Sequence, residues 1–164
     1  MLALQITSTK AFMQQLLVGD AFEEYLLESA VICTANTYTI DGRINPEFYP
    51  PEERNAETIP YEFRPFSEQK GLCFDLIKGK HTPLSFKFVL QLKPEKTSAL
   101  LGSDTSYASL VKALVLTVKY DGTHVTLITG IAYNTFSMDR EPEQLWDKAL
   151  TQFLSDKGLP FETL

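Results

Sequence analysis

A chain of 164 residues, 44% of them hydrophobic and with eleven Phe and seven Tyr, can bury about 70% of its unfolded surface. That excludes a disordered chain and a small scaffold held only by staples. A net charge of −6 and an isoelectric point near 4.9 argue against a domain whose whole surface follows nucleic-acid phosphates. Cys33 and Cys73 form no Cys-x-x-Cys pair, so neither zinc nor thioredoxin-type chemistry finds its ligand set.

Leu2 to Ile6 alternates as a short strand, and Ser8 or Thr9 then caps a helix with an apolar stripe of Phe12, Met13, Leu16 and Leu17. Gly19 closes that helix. Asp20 to Glu28 fits either a short second helix or the start of a strand. From Tyr25 to Ile40 the residues turn β-branched and aromatic. Asp41-Gly42 reads as a type I′ hairpin turn. Pro46 to Pro60, with four prolines and the step Glu52-Glu53-Arg54, predicts a loop long enough to be functional or mobile.

Tyr61 to Phe66 is expected to be extended. Ser67 opens a helix to Gly79 with Leu72, Cys73, Leu76 and Ile77 inward. Leu84 to Lys93 alternates, with Leu84, Phe86, Phe88, Leu90 and Leu92 on one face. Pro94 to Ser106 reads as a polar connection. Lys112 to Tyr133 predicts a hairpin around a two-residue turn at Asp121-Gly122. In that register Val118 faces Val125, Leu116 faces Leu127 and Leu114 faces Thr129, while Lys119, Thr117 and Val115 face His124, Thr126 and Ile128. The last helix spans 141–157 and starts near Pro142. Its stripe of Leu145, Trp146, Ala149, Leu150, Phe153 and Leu154 packs on the sheet. Leu159 to Leu164 is a short tail.

The two helices after Thr7 and Ser67 match at an offset of sixty: Lys10 with Lys70, Phe12 with Leu72, Leu16 with Leu76, Leu17 with Ile77, Gly19 with Gly79. This pattern predicts a single domain over 1–164, with pseudo-repeat halves 1–58 and 59–136 before the last helix. The fold class expected is α+β, a largely antiparallel sheet with helices packed on one face.

The runs Thr39-Ile40-Asp41-Gly42-Arg43 and Phe74-Asp75-Leu76-Ile77-Lys78-Gly79-Lys80, with Thr82-Pro83-Leu84 after them, resemble a family of small bacterial proteins of unknown function. That resemblance covers most of the chain and implies no activity, substrate or catalytic residue. The doubled strand-helix-strand-hairpin order is similar to one domain of a DNA sliding clamp, by element order alone. Clamp helices face DNA with basic residues. Here the first helix offers Lys10, and the second offers Lys70 and Lys78 beside Glu68 and Asp75.

No Gly-rich phosphate loop, Gly-x-Ser-x-Gly or His-Glu-x-x-His run occurs. A reaction centre would have to use His81 with Asp75 or Cys73; His81 otherwise reads as a solvated turn residue and both cysteines as buried, inert thiols. His124 reads as a cross-strand neighbour, Asp41 and Asp121 as turn formers, and Glu47 to Glu57 as a solvated loop without calcium-ligand spacing. Residues 20–62 carry ten acids against Arg43 and Arg54, whereas 63–100 carry seven bases against three acids. Arg64, Lys70, Lys78, Lys80, Lys87 and Lys93 could therefore form an open nucleic-acid surface, or the acidic segment could neutralise them.

The expectation is a non-enzymatic cytoplasmic binding or scaffold module without cofactor, metal or membrane span, meeting a protein partner or a second copy, a sheet edge being one docking route. A nucleic-acid accessory factor using 64–93 and an unfamiliar enzyme are the alternatives.

Overall fold

The computed structural model describes residues 1–102 and 106–164. In chain order the described residues form β1 (Ala3–Ile6), α1 (Thr9–Leu17), β2 (Tyr25–Cys33), β3 (Thr37–Asp41), α2 (Phe66–Ile77) and β4 (Ser85–Leu92). There follow α3 (Pro94–Leu101), α4 (Ser106–Leu110), β5 (Val111–Tyr120), β6 (Val125–Tyr133), α5 (Glu141–Asp156) and β7 (Phe161–Thr163). The strands make one sheet in the order β3-β2-β4-β5-β6-β1-β7, antiparallel at every pairing. The class is α+β.

Alternation decides which side is buried. Ile32, Phe86, Phe88, Leu90, Leu116, Val118 and Leu127 point to one face and are closed off from solvent. Phe12, Leu16, Phe66, Cys73, Trp146, Leu150 and Leu154 cover them from the helices. Rings interlock at this seam: Phe22 meets Phe12 and Phe153 edge-on at 5.5 and 5.4 Å. Trp146 donates its ring N–H to the Val115 carbonyl at 3.0 Å, so α5 is pinned to the central strand as well as packed on it. On the other face Val31, Lys87, Val89, Thr117, Lys119 and Thr126 stay half-buried or exposed.

Several local expectations are corrected. The β5–β6 loop holds four residues, and Tyr120 pairs with Val125, Val118 with Leu127, Leu116 with Thr129. The Asp121 carboxylate accepts from the Thr123 and His124 amides at 2.8 and 2.7 Å, and Gly122 sits at φ +95°; that side-chain network widens the turn. The register moves by two residues, so every side chain keeps its predicted face.

Asp41-Gly42 is not a hairpin turn. β3 turns back from β2 over residues 34–36, where the Thr34 amide bonds the Asn36 carbonyl at 2.8 Å. The open 20–28 question resolves to a turn and then a strand from Tyr25. Pro94 to Ser106 is not merely a connection, because Pro94 opens α3 and Leu101 is buried; residues 103–105 of that run lie outside the described residues. Pro46 to Pro60 holds two single 3-10 turns, with Arg54 donating to the Pro46 and Tyr49 carbonyls at 3.0 and 2.9 Å.

α2 starts at Phe66 with no side-chain cap from Ser67. Leu72 and Leu84 lie 50% and 70% exposed: Leu72 falls on the flank of α2, and Leu84 precedes its strand. The tail gains β7, paired with β1. The two helices matched at an offset of sixty are each followed by a strand, β2 and β4, but are entered differently. β1 precedes α1 as a paired strand, whereas the segment before α2 makes only isolated bridges at Phe63 and Pro65.

Candidate functional site

An apolar depression lies where α1 and α2 run side by side. In α1, Phe12 and Leu16 take the core side, leaving Met13, Leu17 and Val18 along the neighbouring arc. In α2, Cys73 takes the core side, leaving Phe74 and Ile77 one step around the helix toward α1. Met13, Leu17, Val18, Phe74, Ile77 and Pro83 form the walls of a groove of about 300 Å³. Phe86 and Tyr120 form its floor, their rings stacked with centroids 5.1 Å apart and planes 25° apart. The Tyr120 hydroxyl donates to the Gly122 carbonyl at 2.9 Å, fixing that floor.

The groove is open, since Val18 remains 51% and Phe74 38% exposed. Its rim is polar, with Thr9, Gln14 and Thr82 beside one cation. Lys10 lines it directly. Lys78 lies 5.7 Å over the Phe74 ring and pairs with Asp75 at 2.9 Å. Gly79, at φ +147°, ends α2, and Lys80 and His81 follow on the surface. The far end is tied by Lys70, whose ammonium donates to the Gly19 carbonyl at 2.6 Å and faces Glu23 at 3.7 Å. Such a groove can hold an apolar side chain while an adjoining anion meets Lys10.

The three residues considered for a reaction centre do not meet. Cys73 faces the core, where burial pushes its thiol up to about 11. Asp75 sits on the outer side of the same helix with Lys78, and His81 is exposed beyond its end. His124 lies in the separate β5–β6 loop.

The basic set is likewise divided. Arg64 pairs with Glu68 at 3.4 Å, Lys70 with Glu23 and Lys78 with Asp75. Lys93 lies 5.8 Å over Tyr61. Lys87 stands opposite Lys119 on the helix-free sheet face, while Lys80 is exposed beyond the end of α2. Of these pairs, Lys70–Glu23 reaches into the acidic 20–62 segment.

Cys33 departs from the buried reading. It lies half-buried on the helix-free face, and hydrogen bonds from the Ser85 and Thr37 hydroxyls, the latter at 3.6 Å, hold its thiol below the usual thiol range. Iodoacetamide is therefore expected to label Cys33 in the folded protein, at a rate that levels off at lower pH than for a free thiol. Cys73 is expected to react only after unfolding. Equal labelling of both in the folded state, read by peptide mass, would contradict these placements.

Sequence reasoning missed Val18, Phe74 and Pro83 as site residues. The available signal was that both helices carry more apolar positions than one packing face needs. Among the described residues no helix is long and apolar enough to cross a membrane. Compared with known proteins, the chain matches no curated protein and no solved structure significantly. The model of a family described as a family of unknown function (DUF5721) matches residues 15–162.

Proposed function

The chain belongs to the family of unknown function DUF5721, and we propose that within it the α1–α2 groove makes the protein a non-enzymatic binding module. The observation that carries this reading is an exposed apolar groove with Lys10 at its rim on a protein of net charge −6. A concave apolar pocket with a few polar groups at its margin is the ordinary form of a binding site. The charge on its rim names the partner chemistry: a short amphipathic segment of another protein, apolar along one side and acidic at its flank. Its apolar residues would enter between Met13 and Phe74, and a carboxylate at its flank would meet Lys10. The reading places the module in the cytoplasm, a reducing compartment that suits the unbridged Cys33 and Cys73.

The anionic aromatic probe 1-anilinonaphthalene-8-sulfonate has the same pairing of apolar body and negative charge. It is expected to bind the folded chain at one site, more weakly as salt rises. Phe74→Ser and Lys10→Glu should each weaken that binding several-fold. Val31→Ser, on the opposite sheet face, should leave it unchanged. Equal binding to all four proteins, or none to the parent chain, would overturn the assignment. Near-ultraviolet circular dichroism checks that the variants stay packed.

A further inference from the structure

We propose that two copies of the chain pair through β3 into one continuous antiparallel sheet, with a two-fold axis at Thr39. The inference is independent of the groove. β3 and β7 are the outermost strands of the sheet. β7 is limited to three residues, which is one common protection against strand addition. β3 has five, Thr37-Tyr38-Thr39-Ile40-Asp41, with no Lys, no Pro and no bulge against β2.

The hydrogen-bonding parity of β3 is fixed by its neighbours. The Gly42 amide bonds the Glu28 carbonyl at 2.9 Å, and the Thr34 amide bonds the Asn36 carbonyl at 2.8 Å. With Asp41 opposite Ser29 and Thr37 opposite Cys33, the even-numbered residues of this ladder bond inward to β2. Thr37, Thr39 and Asp41 therefore turn their backbone N–H and C=O groups away from the sheet.

That outward edge complements itself. In an antiparallel pair centred on Thr39, each Thr39 amide reaches the Thr39 carbonyl of the second copy. Thr37 and Asp41 exchange the same bonds, and the Thr37 hydroxyl lies opposite a carboxylate, so like charges do not oppose each other. Tyr38 falls opposite Ile40 of the second copy, an aromatic and β-branched cross-strand pair. Both lie on the helix-covered side, where Tyr38 is 37% exposed and Ile40 half-buried.

The helix above supplies more apolar surface. Phe74 marks the flank of α2 that faces α1, so Leu72, on the other side of Cys73, marks the flank away from it. Gln69, one turn earlier on that flank, shares a cavity with Asp41 and Ile44 at the end of β3. Leu72, Tyr38 and Ile40 thus border the edge together. A five-residue edge is small beside the ~800 Å² per partner of standard interfaces, so a reversible dimer of micromolar affinity is expected.

The test is sedimentation equilibrium of the full chain from low micromolar to submillimolar concentration, with hydrogen exchange at both ends. A concentration-dependent dimer is expected, together with slowed exchange at the Thr37, Thr39 and Asp41 amides and little change at Tyr38 and Ile40, whose amides already bond β2. Thr39→Lys sets two ammonium groups against each other across the axis, and Thr39→Pro removes the central donor without touching the β2 ladder. Both should give monomers, whereas Thr126→Lys on the helix-free face should still dimerise. If Thr39→Pro fails to fold, Thr39→Lys decides alone. A monomer at every concentration, or a dimer that survives Thr39→Lys, would overturn the proposal.

Discussion

Gly42→Ala is expected to lower the unfolding free energy by roughly 4 kcal/mol or more, in the range reserved for changes with a specific structural cause. A β-carbon at this position would stand 1.7 Å from the Leu27 carbonyl oxygen and 2.7 Å from its carbon. Neither is the loose end of a side chain, so the collision has to be relieved by moving backbone. That backbone is committed. The Gly42 amide bonds the Glu28 carbonyl, its carbonyl accepts from the Arg64 amide, and the Arg64 carbonyl accepts from the Leu27 amide, each at 2.9 Å.

The β2–β4 register shifts between Leu27 and Ser29, and this irregularity brings three segments to one point. Separating them releases the 43–65 excursion from the sheet edge. Gly71→Ala provides the contrast. Gly71 is exposed within α2, a β-carbon there meets nothing within 4 Å, and alanine should stabilise by about 0.5–1 kcal/mol. Urea unfolding of both variants checks the pair. A Gly42→Ala chain within about 1 kcal/mol of the parent would contradict the close approach.

Phe88→Ala is expected to cost roughly 3–5 kcal/mol, through lost burial and the cavity left behind. Phe88 is fully buried on β4, near the middle of the sheet. Its ring centroid lies 5.2 Å from Phe86 and 6.0 Å from Phe66. It therefore joins α2 to the strand that carries the groove floor. Relaxation around the cavity would tilt α2 and loosen Phe86, so probe binding in the groove should weaken along with stability. Phe136, 90% exposed, should tolerate alanine within about 0.5 kcal/mol. A Phe88→Ala midpoint close to the parent's in the same urea titration would show that the ring is not part of the packed core.

The elements most legible in sequence are those whose pattern is local. β4 and the β5–β6 pair follow a two-residue period, so Phe86, Phe88, Leu116 and Leu127 are assigned to the core without reference to the rest of the chain. The hairpin register slips because the Asp121 carboxylate competes for the Thr123 and His124 amides, an interaction a Asp-Gly doublet does not announce. The same doublet at Asp41-Gly42 carries a different meaning, set by Leu27 and Arg64, which are distant in sequence. α3 was readable from Pro94 at a helix start, but Glu95, Lys96, Thr97 and Ser98 hide its short apolar end. The groove is the least legible feature. Met13 and Phe74 become neighbours only when α1 and α2 lie over adjacent parts of one sheet, and neither residue departs from an ordinary amphipathic helix. The three candidate catalytic residues failed to converge for the converse reason. Closeness in sequence put Cys73 and Asp75 on opposite sides of one helix.

The most direct measurement is photo-crosslinking in living cells from a benzoyl-phenylalanine placed at Val18 in the groove, with one at Val31 on the helix-free face as the reference. The groove position is expected to capture a discrete partner whose crosslinked segment is amphipathic and acid-flanked, with the yield falling in Lys10→Glu and the Val31 position capturing none of it. The same capture from both positions, or a Val18 crosslink to a basic or non-amphipathic segment, would contradict a docking groove between α1 and α2.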